Sequence, residues 1–88
     1  MIINTDDLKK KIVYRSNYRG TKEMDNLLSS FTKKYINTLN DVELNNLINL
    51  LNIDDENLYK LNRGQKTTII INENTVTKLF KNFKYKNE

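Results

Sequence analysis

Apolar residues recur along this chain at helical spacing, and short polar residues sit where each run begins. Leu8, Ile12 and Val13 fall on one helical face, and Met24, Leu27, Leu28, Phe31 and Tyr35 follow the i, i+3, i+4, i+7 rule. Leu44, Leu47, Ile48 and Leu51 form a third stripe, Leu58 and Leu61 a fourth, and Val76, Leu79, Phe80 and Phe83 a fifth. Each stripe reads as core rather than as a lining for a cofactor. The pattern predicts an all-α protein, a small five-helix bundle forming a single domain over residues 1–88. The last three helices are expected near 41–51, 55–62 and 73–83.

Four of the five starts repeat one device, a hydrophobic residue before an Asn or Asp cap and another at the fourth helical position. Ile3 and Leu8 flank Asn4, Leu39 and Leu44 flank Asn40, Ile53 and Leu58 flank Asp54, and Ile71 and Val76 flank Asn72. Glu43 completes a capping-box pattern with Asn40. A side-chain oxygen at each cap satisfies an N–H that the helix leaves unpaired, worth about 1 kcal/mol. The second helix differs. Gly20 or Thr21 is its cap, with Arg19 or Gly20 before it, so no apolar staple forms. Glu23 falls in its first turn, where the helix dipole favours a carboxylate and the side chain can reach back to the Gly20 N–H. Gly64 is expected to stop the fourth helix. The run Thr67-Thr68-Ile69-Ile70-Ile71 has strand-like composition but no partner strand in the chain. It reads as an extended connector packing its isoleucines on the bundle, with a sheet between two copies as the alternative.

Eighty-eight residues hold one small domain, which buries only about 60–65% of its unfolded surface. The apolar fraction of 38%, the charged fraction of 30% and a mean hydropathy of −0.72 describe a lean core under a polar surface. No apolar run approaches the roughly 20 residues of a membrane span, so no membrane insertion is expected. The early residues carry Asp6 and Asp7 and show neither an apolar signal region nor an Arg-rich presequence. The expected location is therefore the bacterial cytoplasm rather than the mitochondrial matrix. The net charge is +4 and the pI about 9.3. Lys78, Lys81, Lys84 and Lys86 crowd the end of the chain, and residues 84–88 read as a flexible basic tail. That tail is either simply solvated or an attraction for an acidic surface.

The chain has no Cys and no His. Disulfides, thiolate nucleophiles, His-based triads and zinc sites are excluded, and no glycine loop cradles a phosphate, because Gly20 and Gly64 stand far apart. Asp54-Asp55-Glu56 suits a helix start better than a cation site. An enzyme in its own right is not expected, and what remains is recognition. Around Gly20 the stretch 14–25 gathers Arg15, Arg19 and Lys22 as donors, Glu23 and Asp25 as acceptors, and Tyr14 and Tyr18 as amphipathic rings. Such a mixture suits docking on a protein surface. The other reading places Tyr14 in the core and leaves the rest a solvated turn. A small basic helical nucleic-acid binder is the alternative function, on the strength of short helices and pI 9.3. Against it, the third helix offers Asn45, Asn46 and Asn49 but no Arg or Lys for phosphates.

Arg19-Gly20-Thr21-Lys22-Glu23 resembles the Arg-Gly-x-x-Glu motif of the small succinate dehydrogenase assembly factors, the flavinylation factors. Tyr14 and Ser16 stand upstream at the family's spacing, Met24, Asp25, Leu27, Leu28 and Phe31 follow, and Asp54-Asp55 with Leu58-Tyr59 resembles the family's later acidic helix start. The resemblance covers roughly residues 8–64. It implies a five-helix protein that binds the flavoprotein subunit of succinate dehydrogenase, with its fumarate reductase relative as a further client. It also implies that the factor promotes covalent attachment of FAD to a His of that subunit. FAD would be the client's cofactor, with none tightly bound here, and the factor would act as a monomer. The residues carried over are Arg19, Gly20 and Glu23, supported by Tyr14, Arg15, Ser16, Tyr18 and Asp25.

Overall fold

At four helix starts a polar side chain closes the first turn. The structure is a computed structural model and describes residues 5–84. It has helices α1 (Thr5–Asn17), α2 (Lys22–Tyr35), α3 (Asp41–Leu51), α4 (Asp55–Asn62) and α5 (Thr75–Asn82), and no strand among the described residues. The expected five-helix bundle is the fold found. The Asn4 cap with its Ile3 staple, and the tail beyond Lys84, lie outside the described residues.

Thr21 caps α2, its Oγ1 accepting the Met24 N–H at 3.2 Å. Asn40 and Glu43 form the reciprocal capping box of α3, with both bonds at 2.9 Å. Asp54 caps α4 through the Asn57 N–H at 3.2 Å. Gly64, at φ +71°, ends α4 in a Schellman turn: the Gln65 N–H reaches the Lys60 carbonyl at 2.8 Å and the Gly64 N–H reaches that of Leu61 at 3.2 Å.

The fifth start corrects the expectation. Asn74, not Asn72, caps α5, exchanging bonds of 2.9 and 2.8 Å with Thr77. A Thr lies three residues beyond either Asn, so local chemistry does not distinguish the two frames. Packing does: with Ile71 leaning on the core as part of the connector, the chain needs two more residues before Val76 can turn inward. The Ile71–Val76 staple therefore does not form, though both side chains pack.

α1 lies against α2 and α3, and α5 lies against α3 and α4. Phe31 of α2 sits under this arrangement, fully buried, with ring centroids 5.0 Å from Tyr35, 5.1 Å from Phe80 and 5.4 Å from Phe83. Each tilted or edge-on pair adds about 0.5–1.5 kcal/mol beyond its buried area. The core is otherwise Ile12, Met24, Leu27, Leu28, Leu44, Leu47, Leu51, Leu58, Leu61, Val76 and Phe80, as the stripes predict, joined by Leu50 and Ile36, which they did not include. Val13 is 38% exposed, contrary to the expected stripe. The inward line of α1 runs Leu8, Ile12, Ser16, and Ser16 fits that close contact by turning its hydroxyl to the Val13 carbonyl at 2.8 Å.

The connector 65–74 also departs from expectation. Only Ile71 packs, while Ile69 is 45% and Ile70 97% exposed. Polar bonds anchor it instead. The buried Asn57 accepts the Thr68 N–H at 2.8 Å and donates to its Oγ1 at 3.1 Å.

Candidate functional site

The corner between α1 and α2 is built from Tyr18 to Thr21, and its shape depends on two residues within it. Gly20 adopts φ +124°, a backbone region open to glycine and strained for other residues. The Arg19 N–H donates to the Asp25 carboxylate, which ties the loop back onto the first turn of α2.

The Arg19 side chain then turns inward. Its Nε donates to Asp55 Oδ1 at 3.0 Å, its Nη1 to the Leu51 carbonyl, and its Nη2 to the Ile53 carbonyl at 2.7 Å. Nη2 also lies 3.0 Å from Asp55 Oδ1, in an ion pair with side chains 12% and 32% exposed. Leu51 closes α3, whose last turn holds no basic residue of its own. Arg19 supplies that missing cation from across the bundle, at the negative end of the α3 dipole. One side chain thus pins the corner to the α3–α4 junction. This corrects the expectation that the Arg19 guanidinium faces outward as a free donor, because most of its fixed donor fork is committed inside the protein.

The eight residues singled out from sequence therefore divide. Tyr14, Tyr18, Gly20 and Glu23 face solvent. Tyr14 and Tyr18 are 66% and 71% exposed and stack 4.8 Å apart, one helical turn from each other, so Tyr14 does not fill the core. Ser16 is 1% exposed and is a packing residue rather than a contact. Asp25 is half-buried and occupied with the Arg19 N–H. Arg15 is half-buried in a separate groove against α3, with Lys11, Asp41, Asn45 and Ile48, and does not join the corner. Lys22 and Thr21 complete the exposed face.

The Glu23 carboxylate makes no hydrogen bond or ion pair among the described residues. With Thr21 as the cap, the residue three beyond is Met24, so Glu23 does not close a capping box. It borders instead a groove of about 320 Å³ whose other walls are Leu27, Tyr59, Asn62, Arg63 and Lys84. Sequence reasoning did not connect Glu23 with α4.

The acidic run on α4 is a helix start. Asn57 gives Asp54 both its side-chain amide, at 2.8 Å, and its backbone N–H, which hold that carboxyl below the usual range. Asp55 pairs with Arg19, and Glu56 pairs with Lys60 at 3.4 Å. Among the described residues no helix is long and apolar enough to cross a membrane.

Comparison with known proteins agrees with the motif. The family model described as flavinator of succinate dehydrogenase matches residues 10–84, which extends the resemblance through the connector and α5. The chain is 41% identical over 51 residues to the mitochondrial succinate dehydrogenase assembly factor 2 of Meyerozyma guilliermondii, covering 58% of this chain and 38% of that one. It is 39% identical over 56 residues to the protein of the same name from Scheffersomyces stipitis, covering 62% and 38%. For the Saccharomyces cerevisiae protein it is 39% over 54 residues, covering 61% and 33%. The matched stretch thus spans 33–38% of these relatives. No solved structure matches significantly. With the family model matching residues 10–84, most of the chain, the chain belongs to the succinate dehydrogenase flavinators, a family of assembly factors.

Proposed function

We propose that this protein binds the flavoprotein subunit of succinate dehydrogenase and promotes covalent attachment of FAD to it. The observation that carries the reading is the family match over residues 10–84, which contains the whole α1–α2 corner. The exposed face at that corner supports it. Tyr14 and Tyr18 offer rigid amphipathic contact area, and Gly20, lacking a Cβ, lets a partner's backbone come close. Glu23 is an acceptor with no side-chain partner among the described residues, suited to a charge-assisted bond. Arg19 and Asp25 act from beneath by holding the corner in shape.

The factor contributes no chemistry of its own in this reading. It binds one arrangement of the client more tightly than others and so raises that arrangement's population. FAD belongs to the client. A single copy suffices, working wherever the client is loaded: the cytoplasm of a bacterium, or the mitochondrion that the fungal relatives' names specify.

The test is in-gel flavin fluorescence of the flavoprotein subunit, incubated with FAD with and without this protein. Covalent flavin is expected to rise in its presence, and to fall back with Glu23→Ala or Gly20→Arg, each checked for folding by circular dichroism. Flavinylation that ignores the protein, or that both variants support fully, would overturn the proposal. The fumarate reductase subunit is the second client to try.

A further inference from the structure

We propose that the groove between α2 and α4 beside Glu23 receives a short carboxylate-bearing segment of the client polypeptide. That the occupant comes from the client rests on the function proposed above; the chemistry of the groove stands independently.

Two cations of this groove are oriented by contacts other than ion pairs. The Arg63 guanidinium lies 4.8 Å from the Tyr59 ring centroid, a cation–π contact that orients it, and its N–H donors make no hydrogen bond among the described residues. Lys84 Nζ is fixed by the Asn62 carbonyl at 3.1 Å and the Lys81 carbonyl at 3.4 Å. Neither has a carboxylate partner among the described residues, whereas Arg19 and Lys60 each do. The floor is equally ordered. Asn62, 7% exposed, bonds the Phe80 and Phe83 carbonyls at 2.9 and 2.8 Å, and Leu27 is buried beside it. A preformed pair of cations loses little freedom on meeting an anion.

Glu23, which also borders this groove, narrows the identity of that anion. A phosphate or a nucleic-acid backbone brings only acceptors and further negative charge, which Glu23 repels. A peptide segment brings both signs at once: an Asp or Glu side chain for Arg63 and Lys84, and a backbone N–H or basic side chain for Glu23. The half-buried Tyr59 provides apolar surface for the residues between, over the buried Leu27. The groove is continuous with the corner through Glu23, so one client can occupy both.

The test uses the full chain against overlapping synthetic peptides tiling the flavoprotein subunit, with binding followed by chemical shifts of the Tyr59, Arg63 and Leu27 signals. Acidic tiles are expected to bind. Their Asn/Gln counterparts should bind about tenfold more weakly, and so should the Arg63→Glu, Lys84→Glu double variant facing the original tiles. The neutral pair Arg63→Gln, Lys84→Gln should fall between, which separates lost charge from lost folding. Equal binding of amide tiles, or displacement of tiles by inorganic phosphate or by FAD at constant ionic strength, would overturn the assignment. Acidic tiles that bind while flavinylation ignores the protein would leave the groove standing and remove the proposed function. Flavinylation supported equally by wild type and the charge-reversed variant would do the reverse.

Discussion

At the scale of single residues, the Arg of the motif does its work indoors. Arg19 bonds Asp55 and the Leu51 and Ile53 carbonyls, so its removal leaves two carbonyls and a half-buried carboxylate without their donor. Arg19→Ala is expected to lower stability by about 2–3 kcal/mol, read from urea midpoints. Arg19→Lys should recover only part of that, because an ammonium cannot span three acceptors as a guanidinium does. A fully exposed contact residue would show almost no stability loss, so the same measurement checks the inward geometry. Thr32 is the opposite case. It is 1% exposed and its Oγ1 has no hydrogen-bond partner among the described residues. Thr32→Val removes a stranded hydroxyl at nearly constant shape and should stabilise the protein by about 1 kcal/mol.

At the scale of elements, the caps set the acid response. Asp54 closes α4 and its carboxyl titrates below the usual value of 3.8, because Asn57 donates to it from both side chain and backbone. A depressed pKa means that the charged form is favoured by folding. The contribution is therefore complete above pH 3.8 and is lost as the pH falls below that value through the folded-state pKa. Asn is itself a strong cap and does not titrate. Asp54→Asn should leave neutral-pH stability nearly unchanged and flatten the decline in acid, measured by thermal melts stepped through that range. The same cap chemistry is why two helix starts could be placed from sequence at Asn40 and Asp54 and that of α2 narrowed to Gly20 or Thr21, and why the start of α5 could not be placed. Asn72 and Asn74 offer equivalent caps, and only the seating of Ile71 and Val76 chooses between them.

At the scale of the whole molecule, buried amides of α4 fasten the connector and α5 to that helix. Asn57 holds the connector through Thr68, and Asn62 holds the end of α5 through the Phe80 and Phe83 carbonyls. Asn62→Ala is expected to cost about 2 kcal/mol. Its effect should be local, speeding amide exchange across residues 75–83 while the α1–α2 corner keeps its protection, as followed by hydrogen-exchange mass spectrometry. Uniform acceleration across all five helices would show that α5 is not a separately fastened unit. Lys84 belongs to this end too, since its ammonium is held by the Asn62 carbonyl, and that places a charge from the tail of the chain beside Glu23 from its first half.

By itself the sequence determined the helices and the bulk of the core, because apolar period and cap chemistry act over three or four residues and need nothing distant. The Arg-Gly-x-x-Glu motif was visible for the same reason, being contiguous. Only the tertiary structure decided which of its residues look outward. Arg19 turns in because the end of α3 lacks a cation and Asp55 stands beside it, thirty-six positions along the chain. Val13 and Ile70 were left outside, and Ser16, Asn57 and Asn62 brought within, by how closely two helices meet and where a buried carbonyl needs a donor. Those are properties of neighbours in space, and a pattern read along one strand of residues carries no term for them.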